Sequence, residues 1–276
     1  MTRRADWEGL SESAWHERLG VTTAEFYTEI DSTMVRARAI ASDPSVVLPA
    51  LVVADRQTAA TGRMGRPWVS DSDLGLWCTV ILDAEAGVDV LPLLAGLAIC
   101  CAAESESEAA GLELGIKWPN DVVTADGKVA GVLCVRIGNR VLVGVGINVN
   151  HGDGDLPAGA GIQAASLRTL TGRPFDRGAL LSRLLTELLE LWPAGVSSPA
   201  GPGLDRSTLA RINERSVLRG RPLAATGTVR HSSGQVEAQE ETRGLGGEIL
   251  ADGGLQILLP EGGVTVLIAG SVRASS

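Results

Sequence analysis

The chain contains 276 residues, which suffices for one large domain or for one large and one small domain. Hydrophobic residues make up 45% of it, so it can bury a core and is not a disordered chain. The formal net charge of −9 excludes a non-specific nucleic-acid binder, which needs a basic face, so any anionic ligand must meet a local cluster of cations.

Apolar periodicity predicts alternating helices and strands over the longer first part of the chain. In chain order these are a helix over 10–19, a strand over 24–30, a helix over 32–42, strands over 50–55 and 75–82, a buried helix over 91–109, strands over 112–118, 128–137 and 140–149, and helices over 175–192 and 205–215. The last three strands have only turn-sized gaps between them, which favours antiparallel neighbours. Asp176 is the predicted cap of the leucine-rich helix over 175–192.

The composition changes near the end of the chain. A Pro-, Gly- and Ser-rich stretch over 193–203 predicts a flexible break. From about Ser216 the chain reads as five short β runs separated by Gly-rich turns, which suits a small barrel. We therefore predict an α/β (α+β) fold in two domains, a mixed-sheet domain over 1–212 and a small β domain over 213–276.

Several features predict a cytoplasmic protein without a membrane span or a zinc site. The N-terminus lacks the apolar segment of a signal peptide, and the longest apolar stretch, 90–103, is too short to cross a bilayer. The four cysteines show no metal-ligand spacing, so we expect reduced thiols. The three histidines are isolated from one another, which argues against zinc.

Three loops contain the residues with the most distinctive chemistry. The first, DRQTAATGRMGRPW over 55–68, combines Gly62 and Gly65 with Arg56, Arg63 and Arg66. Arginines offer paired donors to phosphate, and glycines let backbone N–H groups approach a ligand. The loop therefore predicts an anion site, and Trp68 at its end could stack on a base. A solvated surface hairpin is an equally good interpretation of this loop alone.

The second loop, WPND over 118–121, lies between Lys117 and Lys128, the two lysines of a chain that otherwise uses arginine. A lysine is a slim point charge that can sit between a carboxylate and a phosphate. Asp121 is a candidate contact for Mg²⁺, which usually keeps waters and takes one or two carboxylates beside phosphates. The alternative is an ordinary turn with two exposed lysines.

The third loop, GVGIN over 144–148, places Gly144 and Gly146 inside a strand and ends at Asn148. Glycines in a strand often mark the close approach of a ligand or another backbone. A dinucleotide-binding fingerprint is excluded, because a third glycine and a following helix are both missing.

Taken together and in this order, the motifs resemble those of the biotin protein ligase family. The matching stretches are DSTM (31–34), TGRMGRPW (61–68), KWPND (117–121), KVAG (128–131), GVGIN (144–148) and, more weakly, ASL (165–167). The resemblance covers about residues 28 to 170. It implies that the β-rich tail is the SH3-like C-terminal domain of that family.

The resemblance also implies roles for individual residues. The implied biotin pocket contains Ser32, Thr33, Gln57, Gly62, Arg63, Lys128 and Gly131. The implied ATP contacts are Arg63, Arg66, Trp68, Lys117, Asn120 and Asn148, with Asp121 near Mg²⁺ and Trp68 against the adenine. Lys128 and Arg63 are the implied catalytic residues. Ser32 is also expected to cap the helix that it opens.

The sequence departs from the family pattern at four positions. Ala60 and Thr61 replace the first Gly-Arg pair of the first loop. Met34 stands where the family commonly has asparagine after Ser-Thr, and Val135 stands where a glutamate usually ends the strand that begins at Lys128. These departures are expected to affect how tightly biotin and the reaction intermediate are bound.

The resemblance implies an enzyme that activates biotin with Mg-ATP and transfers it to a lysine of a biotin carboxyl carrier domain of an acyl-CoA carboxylase. Two alternatives are a lipoate–protein ligase and a non-catalytic biotin- or adenylate-binding protein. Only thirty residues precede DSTM, so we expect neither an N-terminal DNA-binding domain nor DNA as a partner.

Overall fold

The computed structural model describes residues 1–83, 88–107, 111–156, 163–192, 197–198 and 201–274. The helices are α1 (Glu12–Leu19), α2 (Thr33–Ala41), α3 (Leu91–Glu106), α4 (Leu167–Thr171), α5 (Arg177–Leu191) and α6 (Arg206–Glu214). The strands are β1 (Thr2–Arg4), β2 (Asp6–Trp7), β3 (Leu10–Ser11), β4 (Thr23–Ile30), β5 (Ala50–Gln57), β6 (Gly75–Asp83), β7 (Gly115–Lys117), β8 (Asp121–Val123), β9 (Lys128–Ile137), β10 (Arg140–Asn148), β11 (Ser197–Ser198), β12 (Gly201–Pro202), β13 (Pro222–His231), β14 (Val236–Ile249), β15 (Leu255–Leu258) and β16 (Val264–Ala274).

Eight strands form one mixed sheet in the order β1-β4-β5-β6-β10-β9-β8-β7. The β4–β5 pair is parallel, with helix α2 as its crossover, and the other neighbouring pairs are antiparallel. The short gaps after β7, β8 and β9 allow only antiparallel return, so the predicted antiparallel pairing is confirmed for β9 and β10, whereas the strand predicted over 112–118 is separated from β9 by β8. The mixed-sheet prediction is confirmed as well.

Helices cover both faces of the sheet because their apolar stripes need burial there. The larger core includes α3 and α5, and the smaller core lies under α2 on the opposite face. Asp176 caps α5 as predicted, since its Oδ1 accepts hydrogen bonds from the backbone N–H groups of Gly178 (2.8 Å) and Ala179 (2.9 Å). The sheet is therefore fixed from both sides, and its strand ends present the three loops.

Helix α3, with the short turn before it, is long and apolar enough to cross a membrane by these two criteria alone. The segment Val88–Glu106 has 19 residues and a mean hydropathy of 1.7, but 67% of it is buried inside the protein. Such burial is expected of a core helix. The helix ends at Glu106, earlier than predicted, and residues 108–109 of the predicted helix lie outside the described residues.

The tail closes into a four-stranded barrel, β13-β14-β15-β16, as predicted. The expectation of five runs is wrong in one respect: most of the run over 235–239 and the first part of the run over 247–254 belong to one long strand, β14 (Val236–Ile249). Glycines in this strand let it bend around the barrel without breaking, so they do not separate two strands. The barrel core is continuous with the larger core of the sheet domain.

Some short elements were missed or misplaced by the sequence pattern. The strand predicted over 112–118 is reduced to β7 (Gly115–Lys117), and the WPND turn leads into β8, which was not predicted. Strand β1 and helix α4 were not predicted either. Each of these elements has five residues or fewer, so it carries too little periodicity to be recognised.

The predicted break over 193–203 lies mostly outside the described residues, apart from the paired strands β11 and β12 and Gly203. The exact domain boundary at 212/213 stays a prediction. Helix α6 ends at Glu214, and the first barrel strand begins at Pro222.

Candidate active site

A cavity of about 590 Å³ opens where the three loops meet the barrel. It brings together every predicted site residue except Asn148. The predicted residues that line it are Ser32, Thr33, Gln57, Gly62, Arg63, Arg66, Trp68, Lys117, Asn120, Asp121, Lys128 and Gly131. The loops are far apart in sequence, and the sheet order puts them side by side, because β5, β6, β10, β9 and β8 are successive neighbours.

Both lysines lie in this cavity and are partly buried. Lys128 is the first residue of β9, and its Nζ lies 2.6 Å from Asp121 Oδ1 and 5.1 Å from the centroid of the Trp68 ring. Burial lowers the pKa of Lys117, Asp121 opposes that shift and Lys128 adds to it. The interpretation as an ordinary turn with two exposed lysines is therefore wrong.

The first loop is a folded hairpin that carries Arg63 into the cavity. The backbone N–H of Gly62 donates to the carbonyl of Arg66 (2.8 Å), and the N–H of Trp68 donates to the carbonyl of Ala60 (3.0 Å). Arg63 donates from Nη1 to Asn120 Oδ1 (3.1 Å), and burial lowers its pKa. The hairpin tip, including Met64 at 80% exposure, is solvated, whereas Arg63 is partly buried.

A relay of hydrogen bonds fixes the polar end of the cavity. Gln57 Oε1 accepts from the backbone N–H (2.8 Å) and the hydroxyl (3.1 Å) of Thr33, and Gln57 Nε2 donates to Ser70 Oγ (3.2 Å). The fully buried Thr79 hydroxyl donates to Thr33 Oγ1 (2.9 Å). The relay orients the Gln57 amide before a ligand arrives, which suits recognition of a ligand with fixed donors and acceptors.

The sequence analysis missed Thr79 and Ser70. Thr79 is a polar residue in the otherwise apolar run of β6, and this polar interruption was the available signal. The barrel residues Ser271, Val272 and Arg273 also line the cavity, but no motif in the tail pointed to them.

The side chain of Ser32 was expected to cap helix α2, but it does not. It occupies the N-cap position, but its side chain makes no capping hydrogen bond. Its backbone N–H is bound by Asp31 Oδ1 (2.8 Å), and the residue lines the cavity. The Ser32 hydroxyl is therefore available to a ligand and is not used as a helix cap, although the sequence allowed both roles.

The strand glycines line the cavity and also make room there for the side chains of neighbouring residues. A Cβ at Gly146 would lie 2.8 Å from the Trp68 ring, and a Cβ at Gly131 would lie 3.1 Å from it. A Cβ at Gly144 would lie 2.7 Å from Cε of Met34. The Trp68 ring thus lies over β9 and β10, beside Lys128, and its Nε1 is buried without a hydrogen-bond partner among the described residues.

Asn148 lies beneath the cavity and does not line it. Its Nδ2 donates to the backbone carbonyls of Lys128 (3.3 Å) and Ala165 (3.1 Å). The residue is buried and fixes the start of β9. In this structure it supports Lys128 from behind and does not itself face the cavity.

Asp121 is the one acidic residue among the described residues that line the cavity. The described part of the chain contains no cluster of three or more His, Cys, Asp or Glu side chains that could hold a metal ion. A single carboxylate, already paired with Lys128, does not make a resident metal site. It does fit an ion that arrives on phosphates with its own waters.

Comparisons with known proteins agree with this geometry. The model of the biotin/lipoate A/B protein ligase family matches residues 30–151. The chain is 36% identical over 140 residues to the bifunctional ligase/repressor BirA of Bacillus subtilis, and the match covers 49% of this chain and 43% of that protein. It is 34% identical over 180 residues to the biotin–[acetyl-CoA-carboxylase] ligase of Mycobacterium tuberculosis, 64% of each chain. The chain therefore spans less than two thirds of the length of these two relatives.

Two further proteins match over nearly their whole length. The biotin–[acetyl-CoA-carboxylase] ligase of Paracoccus denitrificans is 30% identical over 224 residues, which cover 78% of this chain and 90% of that protein. The structure of the Aquifex aeolicus biotin protein ligase in complex with biotin and ATP superposes with a TM-score of 0.73 at 27% identity, covering 92% of this chain and all of that one. This chain belongs to the biotin protein ligase family.

Proposed function

We propose that the chain is an ATP-dependent biotin protein ligase, which activates biotin as biotinyl-5′-AMP and transfers it to a lysine of a biotin carboxyl carrier domain of an acyl-CoA carboxylase. One observation carries the proposal: the two lysines of the chain and Arg63 converge on one cavity whose far end is the oriented Gln57 amide. The cavity thus offers a polar recognition end and a cationic reaction end. The proposed location is the cytoplasm, in agreement with four cysteines that form no disulfide.

The polar end is the proposed site for the biotin ring. Ser32, Thr33 and Gln57 offer hydroxyl and amide groups, and Thr79 and Ser70 fix the orientation of Thr33 and Gln57. Gly62 offers backbone atoms, and Gly131 keeps the floor low. Such a set suits a neutral ring with both donors and acceptors, because each buried polar group of the ligand finds a partner.

The cationic end is the proposed reaction site. In the first step an oxygen of the biotin carboxylate attacks the α-phosphorus of ATP, and the bond from that phosphorus to the bridging oxygen of pyrophosphate breaks. Negative charge builds on the phosphorus oxygens, so cations already aimed there lower the barrier. Lys128 and Arg63 are the proposed catalytic cations, and Arg66, Lys117 and Asn120 are proposed contacts of ATP.

In the second step the ε-amine of the carrier lysine attacks the acyl carbon of the adenylate, forming an amide and releasing AMP. The amine loses its proton to solvent or to the departing phosphate. Trp68, which lies over the two strands beside Lys128, is proposed to cover the adenylate and exclude water, with the adenine as a second contact. Asn148 is proposed to act indirectly, by holding the Lys128 backbone.

Magnesium is proposed to enter with ATP, where it would neutralise phosphate charge. Asp121 is the proposed protein contact, since it is the acidic residue of the described cavity lining. Its carboxylate would then exchange its contact with Lys128 Nζ for one with a water of the ion.

Biotin-dependent exchange of pyrophosphate into ATP tests the proposal. Purified protein should catalyse exchange with biotin and not with lipoate, and should then label a biotin carboxyl carrier domain only when its acceptor lysine is present. Exchange with lipoate alone would make the protein a lipoate–protein ligase. Binding of biotin without any exchange would make it a binding protein, and either result would overturn the proposal.

A further inference from the structure

The barrel contacts two of the three loops through backbone carbonyls. Arg63 Nη2 donates to the carbonyl of Gly270 (2.7 Å), and Trp118 Nε1 donates to the carbonyl of Gly253 (2.8 Å). Both acceptors are glycines with positive φ, 144° at Gly270 and 85° at Gly253. The first loop and the second loop are thus each tied to the barrel by one hydrogen bond from a side chain of a recognised motif.

Gly270 can present its carbonyl because a second glycine faces it. Gly270 pairs with Gly227 across β13 and β16, and the φ of Gly227 is 150°. A Cβ at Gly270 would lie 2.1 Å from the carbonyl oxygen of Thr226, and a Cβ at Gly227 would lie 2.0 Å from that of Ala269. Neither position has room for a side chain, so this close crossing of two backbones requires glycine on both strands.

The contact holds a cation that the loop alone could not hold. Arg63 is suspended between Gly270 and Asn120, and Asn120 is itself fixed because its Nδ2 donates to the carbonyl of Val132 (2.7 Å). The adjacent Met64 side chain is 80% exposed and gives the loop tip no support. A guanidinium fixed at two points needs no reorganisation when charge develops on a phosphate beside it.

We propose that Gly227 and Gly270 are positioning residues for the reaction: their close crossing turns the Gly270 carbonyl toward the first loop, so that the barrel holds Arg63 in place for phosphoryl chemistry. This inference rests on the proposed function. The barrel thereby contributes to the active site through its backbone. This explains why no side-chain motif in the tail predicted that role.

A double-mutant cycle tests the inference. Gly270→Ala should slow single-turnover adenylate formation by roughly tenfold or more, the effect of losing one charged hydrogen bond. In an Arg63→Lys background the same glycine substitution should have less than about a twofold further effect, because the two changes remove one interaction. Equal losses in both backgrounds would mean that Gly270 acts without Arg63 and would overturn the inference.

Two other barrel glycines supply matched controls. Gly234 and Gly262 also have positive φ, 85° and 91°, but an added Cβ would meet no atom within 4 Å at either position. Gly234→Ala and Gly262→Ala therefore place an alanine at positive φ away from Arg63, without the backbone clash that a Cβ at Gly270 meets. Both should retain the wild-type rate, and melting temperatures of all variants show whether the barrel stays folded. If either control slows adenylate formation as much as Gly270→Ala does, general strain explains the effect and the inference fails.

A measurement on the wild-type protein does not depend on how the glycine variants fold. In ¹⁵N-arginine spectra of the ligand-free protein, the Arg63 guanidinium, identified by its loss in Arg63→Lys, should show hindered rotation about Cζ–Nε. Free rotation would show that the barrel does not hold Arg63. This readout needs no activity, so failure of the inference can be told from failure of the proposed function, which would appear as absent pyrophosphate exchange in wild type.

Discussion

Two regions of the mixed sheet hold buried or partly buried charged side chains, the cluster around Asp55 near the end of β5 and the cavity around Lys128 at the start of β9. Asp55 accepts hydrogen bonds from Arg4 Nη1 (2.5 Å), Trp7 Nε1 (3.0 Å) and Arg177 Nη2 (3.0 Å). Arg177 also donates to the carbonyl of Gly75 (3.1 Å). In this cluster the carboxylate is saturated by protein donors.

The charged side chains in the cavity have fewer charged partners than Asp55 has. Lys128 meets a single carboxylate, Asp121, in a space open to solvent, and Arg63 meets two neutral oxygens. Buried charges that are fully paired stabilise a fold only as a set, because removing one partner leaves the others uncompensated. Charges with spare donors beside a cavity are prepared for a ligand. The comparison therefore predicts loss of stability in one region and loss of chemistry in the other.

The largest effect is expected from Asp55→Ala. It would remove the acceptor shared by Arg4, Trp7 and Arg177 and leave Arg177 with Glu8 as its remaining carboxylate partner, so the free energy of unfolding should fall by roughly 3–5 kcal/mol, measured by urea titration. The rate of adenylate formation per folded molecule should stay within a few-fold of wild type. Asp6→Ala is the matched control, because Asp6 is 67% exposed and contacts Arg4 only at 3.6 Å. A loss below about 1 kcal/mol in Asp55→Ala would contradict the assigned structural role.

Lys128→Met should have the opposite profile. Losing one preorganised donor typically costs on the order of a hundredfold in rate, so pyrophosphate exchange should fall by at least that factor while the urea midpoint changes little. Lys128→Arg should not restore exchange, because a planar guanidinium is larger than an ammonium and a Trp68 ring already borders the space.

Arg219→Met is the control for that substitution. Arg219 is 56% exposed and pairs with Glu248 on the surface, so its loss should leave exchange unchanged. Near-normal exchange in a folded Lys128→Met protein would remove Lys128 from the catalytic residues.

A smaller effect is expected from restoring the missing cation of the first loop. Thr61 lines the cavity and pairs with Pro67 across the hairpin. Thr61→Arg with Ala60→Gly should slow release of biotinyl-adenylate by about tenfold, since a charged hydrogen bond contributes roughly 1.5–3 kcal/mol. Release is measured by chasing bound radiolabelled adenylate, and labelling of bystander proteins should decrease in parallel.

Val69→Arg serves as the charge-matched control, because Val69 is 48% exposed and is not among the cavity-lining residues. It should leave the release rate unchanged. If the double substitution at 60 and 61 also leaves release unchanged or speeds it, this pair of positions does not retain the adenylate.

The smallest effect is expected from His151, which is buried beside Trp77 with Nδ1 unpartnered among the described residues. Burial lowers the pKa of His151 below its ordinary value of 6.5, and Asp155 and Asp71 only partly oppose this. In this pH range the unfolded chain therefore protonates His151 more readily than the folded chain does. As a result, the free energy of unfolding falls as the pH drops below about 6.5 toward the lowered pKa.

His151→Asn should flatten that part of the stability profile, measured as the free energy of unfolding between pH 8 and pH 5. Glu25 affects a more acidic range, because hydrogen bonds from Arg36 and Tyr27 overcome burial and hold the pKa of Glu25 below 4.5. An unchanged slope near pH 6 in His151→Asn would show that this histidine is not the group responsible.

Much of the fold was predictable because long apolar patterns have a single physical solution. The leucine stripe of α5 and the apolar strands β5, β6, β9 and β10 are buried as their periods require. The elements that were missed, such as α4 and β8, are too short to carry a period. Helix α4 depends on a local capping box of Ser166 and Thr169, and β8 depends on its tertiary pairing with β9.

The sequence by itself determined which side chains are candidates for the chemistry, because Lys117, Lys128 and Arg63 stand out by residue type and by their neighbouring glycines. Only the tertiary structure decided how those side chains are held. The Thr79–Thr33–Gln57 relay, the support of Lys128 by Asn148 and the Gly270 carbonyl on Arg63 join residues that are distant in the chain. A local motif encodes the donors it contains, but the acceptors that orient them come from strands that folding brings alongside.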